Sequence, residues 1–393
     1  MWVYFVYSVS LIQAQIKTRA SFLLSKTTLS YISERPTPMR QPIFDGHNDL
    51  LLRLMQRCHE SDVDTVITQC IAGDTKGHID LPRMQAGGFA GGLFAVFIPP
   101  QDDSLNFEDM GDGGYTIPLP PALPHSEALP VAMQQVRILL QLIEQSQGAL
   151  ALCTTRKQID GCLQRQAISV VLHMEGAEAI DEDLNALDVF YAAGLRSLGP
   201  VWSRNTLFAD GVPLAFPATP DIGGALTEAG KRLIAKCNKK RILIDLSHLN
   251  EKGFWDVARL SDAPLVATHS NIWSICNSAR NLTDKQLDAI RESNGIVGMN
   301  LATCFIRPDG KMSSDTDLSL LLQHIDAAIE HLGETGVALG SDFDGAVVPK
   351  AIADIGGLDA LREAFTRHGY DVELQRKLCC TNWLNALERT WGE

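Results

Sequence analysis

The sequence predicts an α/β fold, a single (β/α)8 TIM barrel. Three observations carry that expectation. Eight short apolar, β-branched runs follow one another from residue 42 onward, and longer amphipathic stretches separate them, the pattern of parallel strands covered by helices. A third is that no linker-like break in composition interrupts the alternation. With 393 residues, 45% of them hydrophobic and 21% charged, the chain can bury a large core, and α/β barrels run past ~250 residues as one unit. The expected organisation is an extension over residues 1–40 and one barrel domain over 41–393.

In chain order the expected strands are PIFDGHND (42–49), GLFAVFI (92–98), ISVVLHMEG (168–176), GLRSLGPVW (194–202), RILIDLSH (241–248), PLVATHS (264–270), GIVGMN (295–300) and VALGSDFDG (337–345). Between them, 131–146 repeats apolar residues at helical spacing, and 226–240 opens on Thr227 as a cap and closes on cations that complement the helix dipole. A last helix near 371–389 sets Leu374, Leu378 and Leu384 on one side. The stretches 99–126 and 203–224 are rich in Pro, Gly and Asp and follow strands, so they are expected to be irregular loops covering the C-terminal face. The GGFAGG run at 87–92 precedes its strand and reads as a tight turn, not as a dinucleotide fingerprint.

A formal charge of -13 speaks against nucleic acid as a partner, because phosphate binding needs a stripe of Lys and Arg. Lys239, Lys240 and Arg241 form the one basic cluster and read as a helix end and solvated loop. Residues 1–38 open on WVYFVYSVSLI without a preceding basic segment, and that run is too short and interrupted to span a bilayer. Met39 is the expected natural start, and stable membrane insertion is not expected. Export or membrane association follows instead if residues 1–38 act as a leader. Nine cysteines without a CxxC pair suit a reducing, cytoplasmic setting.

The chemistry gathers at the C-terminal ends of the expected strands, where a barrel builds its active site. The first strand ends in His47 and Asp49, which share a side of an extended segment and can converge on one ion. Glu175 ends the third, His248 the fifth and His269 the sixth, while Asp342 and Asp344 close the eighth. Taken singly, each is a cap or loop residue; shared by five strand ends, the property points to a metal centre. Imidazole and carboxylate suit zinc, and the set exceeds the three protein ligands one catalytic ion takes. A binuclear metal centre at the C-terminal face follows. Glu175 is the candidate bridge, with His47 and Asp49 on one ion and His248 and His269 on the other. Asp344, before Gly345, reads as a turn residue.

In order, FDGHNDLL, HMEGAEAI, DLSHLN, ATHSN, SARNLTD and GSDFDG resemble the motifs of the membrane dipeptidase (renal dipeptidase) family, the M19 metallopeptidases, within the amidohydrolase-like barrels. The resemblance runs from about residue 42 to the C-terminus. It implies a zinc-dependent dipeptidase with two Zn2+ per subunit, a small dipeptide as substrate, C-terminal D-residues included, and a homodimer. Within it, His47, Asp49 and Glu175 hold one zinc, and Glu175, His248 and His269 the second. Asp342 and Glu175 are the catalytic residues: a hydroxide shared by the ions attacks, and Asp342 matches the acid/base. Arg280, which on the sequence alone reads as a surface ion pair, matches the arginine that clamps the substrate carboxylate.

The family pattern has a substrate-binding His where this chain carries Trp202. Indole donates one hydrogen bond and carries no charge, so oxyanion stabilisation would rest more on zinc, with Arg204 and Asn205 as substitutes or as loop-surface residues. His59, His78, His125, His173, His324, His331 and His368 read as structural or exposed, although His173 shares strand parity with Glu175. Two other readings stay open: a barrel metallohydrolase acting on a non-peptide amide or lactone, which Trp202 keeps alive, and an inactive metal-binding protein, which has no need of Asp342.

Overall fold

The computed structural model describes residues 40–100, 110 and 113–392, and the readings placed on residues 1–38 lie outside them. The described strands are β1 (Ile43–Asn48), β2 (Phe89–Phe97), β3 (Tyr115–Ile117), β4 (Leu150–Leu152), β5 (Ile168–Glu175), β6 (Leu195–Gly199), β7 (Leu214–Phe216), β8 (Leu243–Ile244), β9 (Val266–Ser270), β10 (Ile296–Asn300) and β11 (Val337–Gly340). Eight of them pair in the spatial order β8-β6-β5-β2-β1-β11-β10-β9, every pair parallel. A parallel bridge from Asp245 to Val266 joins the two ends, so the barrel is nearly closed. Helices cover its outside, which is why β1, β2, β5, β9, β10 and β11 are buried on both faces and read as near-continuous apolar runs.

All eight expected strands are present, with adjusted ends. The fifth shrinks to two residues, leaving His248 on the following loop, and the eighth stops at Gly340, leaving Asp342 and Asp344 beyond it with φ of 60° and 68°. The glycine run at 87–92 divides between a turn and the strand: Gly87 and Gly88 form the expected tight turn, β2 begins at Phe89, and Gly91 and Gly92 lie inside it. A Cβ on Gly91 would stand 2.3 Å from the Ser169 carbonyl oxygen, and one on Gly92 2.7 Å from that of Asp45. Close strand approach, not turning, demands these glycines.

The two loop stretches are also more ordered than expected. Each contributes one short strand, and β3 pairs antiparallel with β7 through Tyr115–Phe216, Thr116–Ala215 and Ile117–Leu214. This ribbon stitches the excursion after β2 to the one after β6. Thr227 caps the helix Glu228–Lys240 by accepting from Gly230 N, as its side-chain chemistry favours. The last helical stretch is interrupted: Val372–Arg376 passes through a π-helical turn, Lys377–Thr381, into Asn382–Trp391. Trp383 from that final helix is fully buried, donates to the Leu339 carbonyl at 2.7 Å and stands where a side chain on Gly46 or Gly298 would be. Among the described residues no helix is long and apolar enough to cross a membrane.

Candidate metal centre and active site

β1 carries His47 at its C-terminal end, and Asp49 follows as the N-cap of the helix Leu50–Arg57. β5 ends on Glu175 and β9 carries His269, while His248 reaches in from the loop after β8. These five side chains meet. The two Glu175 oxygens divide between the groups: Oε2 lies 3.7 Å from His47 Nε2, and Oε1 lies 2.9 Å from His248 Nε2 and 3.5 Å from His269 Nε2. His47 Nε2 is 3.4 Å from Asp49 Oδ2, and the Nε2 atoms of His248 and His269 are 3.1 Å apart. Ligand-type atoms of His47, Glu175 and His269 fall within 4.8 Å of one another, as do those of His47, Asp49 and Asp342.

None of the five is more than 5% exposed, so their charges are felt strongly. Burial raises the Glu175 carboxyl well above the usual carboxylate range, reinforced by Asp49 and Asp342 and opposed by His47. Burial works against a charged His47, but Glu175 and Asp49 outweigh it and push the imidazole up to about 10. His248 and His269 move the other way: burial, then nearby Arg280 and His47, hold both well below the usual range and neutral.

The donor set fits a divalent cation. His248 Nδ1 lies 3.0 Å from Ser203 Oγ and His269 Nδ1 2.8 Å from Thr268 Oγ1, while their Nε2 atoms face each other and a carboxylate oxygen. His47 Nε2 and Asp49 Oδ1 are buried without a hydrogen bond among the described residues. The negative charge that draws a proton onto His47 in the metal-free chain is the charge a cation bound among these groups would balance instead. The chemistry of the set, imidazole nitrogen with carboxylate oxygen, is that of zinc and related ions.

Above this cluster opens a cavity of about 320 Å3. Asp49, Glu175, His248, Trp202, Arg280 and Asp342 all line it, facing an apolar wall that includes Phe97, Met110, Leu214, Phe305 and Met312. Asp342 receives a hydrogen bond from Asn300 Nδ2 at 2.9 Å, and burial raises its carboxyl above the ordinary range, with His47 pulling the other way. Arg280 is no surface residue: it is 2% exposed, its Nη2 donates to the His269 carbonyl at 3.1 Å, its Nη1 to that of Ser247, and its guanidinium lies 5.3 Å from the Phe305 ring centre. Its Nε is buried without a partner among the described residues. Trp202 packs edge-on against Phe97, centroids 4.9 Å apart, and 5.8 Å from His248.

Arg204 does not substitute for the missing histidine, nor does it sit at a loop surface, whereas Asn205 is half-buried in the loop after β6. Arg204 is fully buried beneath the Trp202 ring, donating to the Ile98 carbonyl at 2.9 Å and to Glu178 Oε1 at 3.1 Å; Asn205 accepts from Gly211 N at 3.1 Å. The buried Glu178 carboxylate gives the Arg204 guanidinium its partner in the interior. Asp344 does occupy a left-handed turn position, and it also accepts from Arg53 Nε at 2.8 Å. His173 is buried behind His47, centroids 5.4 Å apart, with Nδ1 2.8 Å from Ser197 Oγ. Sequence reasoning missed Asn300, which donates to Asp342, Thr268, whose hydroxyl lies against His269 Nδ1, and Asp245, which reaches His269 only through Thr268; a neutral amide, a mid-strand hydroxyl and a carboxylate ahead of the loop carry no signal of these contacts in the sequence. At Lys239, Lys240 and Arg241 a larger cavity of about 660 Å3 opens, with Lys240 bonded to Asp188 at 2.7 Å.

A parallel barrel that gathers imidazoles and carboxylates where its strands end, beneath a cavity holding a buried arginine, defines a metal-dependent hydrolase of the barrel type. The model of the membrane dipeptidase family, peptidase family M19, matches residues 35–391, and the chain belongs to that family of metallodipeptidases. A metallo peptidase from Rhodobacter sphaeroides, solved with a phosphinate mimic of the dipeptide L-Ala-D-Ala, is 52% identical with a TM-score of 0.86, covering 89% of this chain and 99% of that one. The dipeptidase AC, also a metallo peptidase of family M19, is 51% identical with a TM-score of 0.86 over 90% of this chain and 99% of its own. An uncharacterized protein in the pqqA 5' region of Klebsiella pneumoniae is 45% identical over 267 residues, 68% of this chain and 98% of its own length.

Proposed function

We propose that this chain hydrolyses the peptide bond of small dipeptides, C-terminal D-residues included, at a centre of two zinc ions per subunit. The observation that carries the reading is the division of Glu175: one oxygen turned to His47 and the other to His248 and His269, with Arg280 and Asp342 on the wall above. His47, Asp49 and Glu175 would hold one ion, and Glu175, His248 and His269 the other. When bound, the ions supply Lewis acidity that polarises a peptide carbonyl and lowers the pKa of water.

The remaining work falls to the chain. Arg280 holds the free carboxylate of the dipeptide by charge-assisted hydrogen bonds, using donors such as the unpartnered Nε. Asp342, kept in place by Asn300, accepts the proton of the attacking water on its carboxylate and passes it to the departing amine. The apolar wall and Trp202 receive the side chains and exclude water. The likeness to a relative crystallised with a dipeptide mimic supports a dipeptide over a lactone. Residues 41–393 form the catalytic unit, with 1–40 an extension outside it. A homodimer and a cytoplasmic setting complete the proposal, the latter because all nine cysteines are free.

The test is a panel of L,L- and L,D-dipeptides beside lactones and N-blocked amides, assayed with zinc-loaded and chelator-treated protein. Zinc-dependent cleavage confined to dipeptides supports the reading. Turnover of lactones or blocked amides without dipeptide cleavage overturns it.

A further inference from the structure

Asp245 and Thr268, which touch neither the cavity nor the facing Nε2 atoms, form a chain of hydrogen bonds that ends on His269. Asp245 is 3% exposed and accepts four hydrogen bonds. Its Oδ1 receives Ser247 N at 3.1 Å, Ser247 Oγ at 2.7 Å and Thr268 N at 2.8 Å, and its Oδ2 receives Thr268 Oγ1 at 2.7 Å. A hydroxyl has one proton. Having given it to Asp245, Thr268 Oγ1 presents only lone pairs to His269 Nδ1, 2.8 Å away. The Nδ1 must then carry the imidazole proton, and the lone pair must lie on Nε2, the atom 3.1 Å from His248 Nε2 and 3.5 Å from Glu175 Oε1.

We infer that Asp245 and Thr268 are positioning residues that lock His269 in the tautomer able to ligate a cation through Nε2. The inference rests on the metal-centre reading above. His248 has no such lock: among the described residues, the Ser203 hydroxyl at 3.0 Å from its Nδ1 has no acceptor to fix its proton, so it can turn either way. The two imidazoles therefore differ in how firmly the fold sets their chemistry. Within the site that the two imidazoles share, His269 is the ligand prepared before metal arrives.

Two substitutions separate this role from packing. Thr268→Val keeps the β-branched shape in a strand and removes the hydroxyl. Asp245→Asn keeps shape and polarity but reverses the chain: Oδ1 already takes three donors, so the new amide nitrogen stands at the Oδ2 position and donates to Thr268 Oγ1, whose own proton then turns toward His269 Nδ1. Thr268→Ser retains the hydroxyl as the conservative control.

The measurement is Zn2+ affinity of the metal-free protein by competition with a chelating dye, alongside long-range 15N–1H spectra that report which ring nitrogen of His269 is protonated. Wild type and Thr268→Ser should bind two ions with Nδ1 protonated in the metal-free state. Thr268→Val and Asp245→Asn should bind one of the two ~10- to 100-fold more weakly. Wild-type affinity at both sites in Asp245→Asn, or an Nε2-protonated His269 in wild type, overturns the inference. Failure of wild type to bind zinc at all refutes instead the metal-centre reading on which it rests.

Discussion

Replacing Asp342 by asparagine isolates the proton chemistry of that carboxyl from its structural part. Asp342 has φ of 60°, in the left-handed region that Asp and Asn enter more readily than other L-residues. It accepts one side-chain hydrogen bond, from Asn300 at 2.9 Å, which an amide oxygen can accept as well. Backbone and contact thus survive in Asp342→Asn, and what disappears is the capacity to take up and release a proton. General acid–base catalysis is worth ~10²- to 10⁴-fold, about 3–5 kcal/mol of barrier. In steady-state hydrolysis of L-Ala-D-Ala by zinc-loaded protein, kcat should fall by that factor with KM and zinc content little changed. Asp342→Ala should lose activity likewise and also lower Tm, because alanine pays ~1–2 kcal/mol for the left-handed backbone. An asparagine variant that retains zinc and stays within about tenfold of wild-type kcat would refute the acid/base role.

Three further outcomes are expected. Arg280→Met should cost ~10²-fold or more in kcat/KM on dipeptides, at roughly 1.5–3 kcal/mol for each charge-assisted hydrogen bond lost, while leaving the rate on dipeptide amides nearly unchanged; an equal loss on both substrates would mean that Arg280 serves only the carbonyls it touches. His324, buried with Nδ1 accepting from Ile272 N at 3.1 Å and Nε2 donating to the Ile306 carbonyl at 2.9 Å, is lowered by burial from 6.5 to about 4. A folded pKa below the unfolded one means that the folded state binds fewer protons, so this stabilisation is present above pH 6.5 and is lost as pH falls through about 4, by ~3 kcal/mol at 1.36 kcal/mol per unit. The unfolding free energies of wild type and His324→Gln should converge by about that much between pH 7 and 4 in urea titrations, and a constant gap would contradict the assignment. Gly91→Ala places a methyl 2.3 Å from the Ser169 carbonyl and should destabilise by ~1–3 kcal/mol, read as a lower urea midpoint; an unchanged midpoint would show that β2 and β5 can separate without cost.

The barrel was legible because its parallel strands are buried on both faces, which forces continuous apolar runs, and because ionisable residues at their C-terminal ends have no structural reason to recur. His47, Glu175 and His269 sit on such ends and were found there. Arg280 lies in a loop after β9, where no periodicity marks its burial, and only the family motif pointed to it. Less was legible where two distant segments decide the outcome together. The β3–β7 ribbon joins residues about a hundred positions apart, and neither segment alone has strand length. Gly91 and Gly92 look like turn residues until Ser169 and Asp45 are placed against them. Arg204 reads as a surface cation until Glu178 is found within 3.1 Å in the core. Asp245 and Thr268 carry no signal of their role, since a hydroxyl and a carboxylate matter here only through the direction of one shared proton.

The account stands most directly on the claim that Glu175 joins two metal positions. Anomalous diffraction at the zinc edge, from crystals of the zinc-loaded protein, tests it without reliance on turnover. Two peaks flanking Glu175, one beside His47 and Asp49 and the other beside His248 and His269, are the predicted result. A single peak, or peaks away from these five side chains, would contradict it.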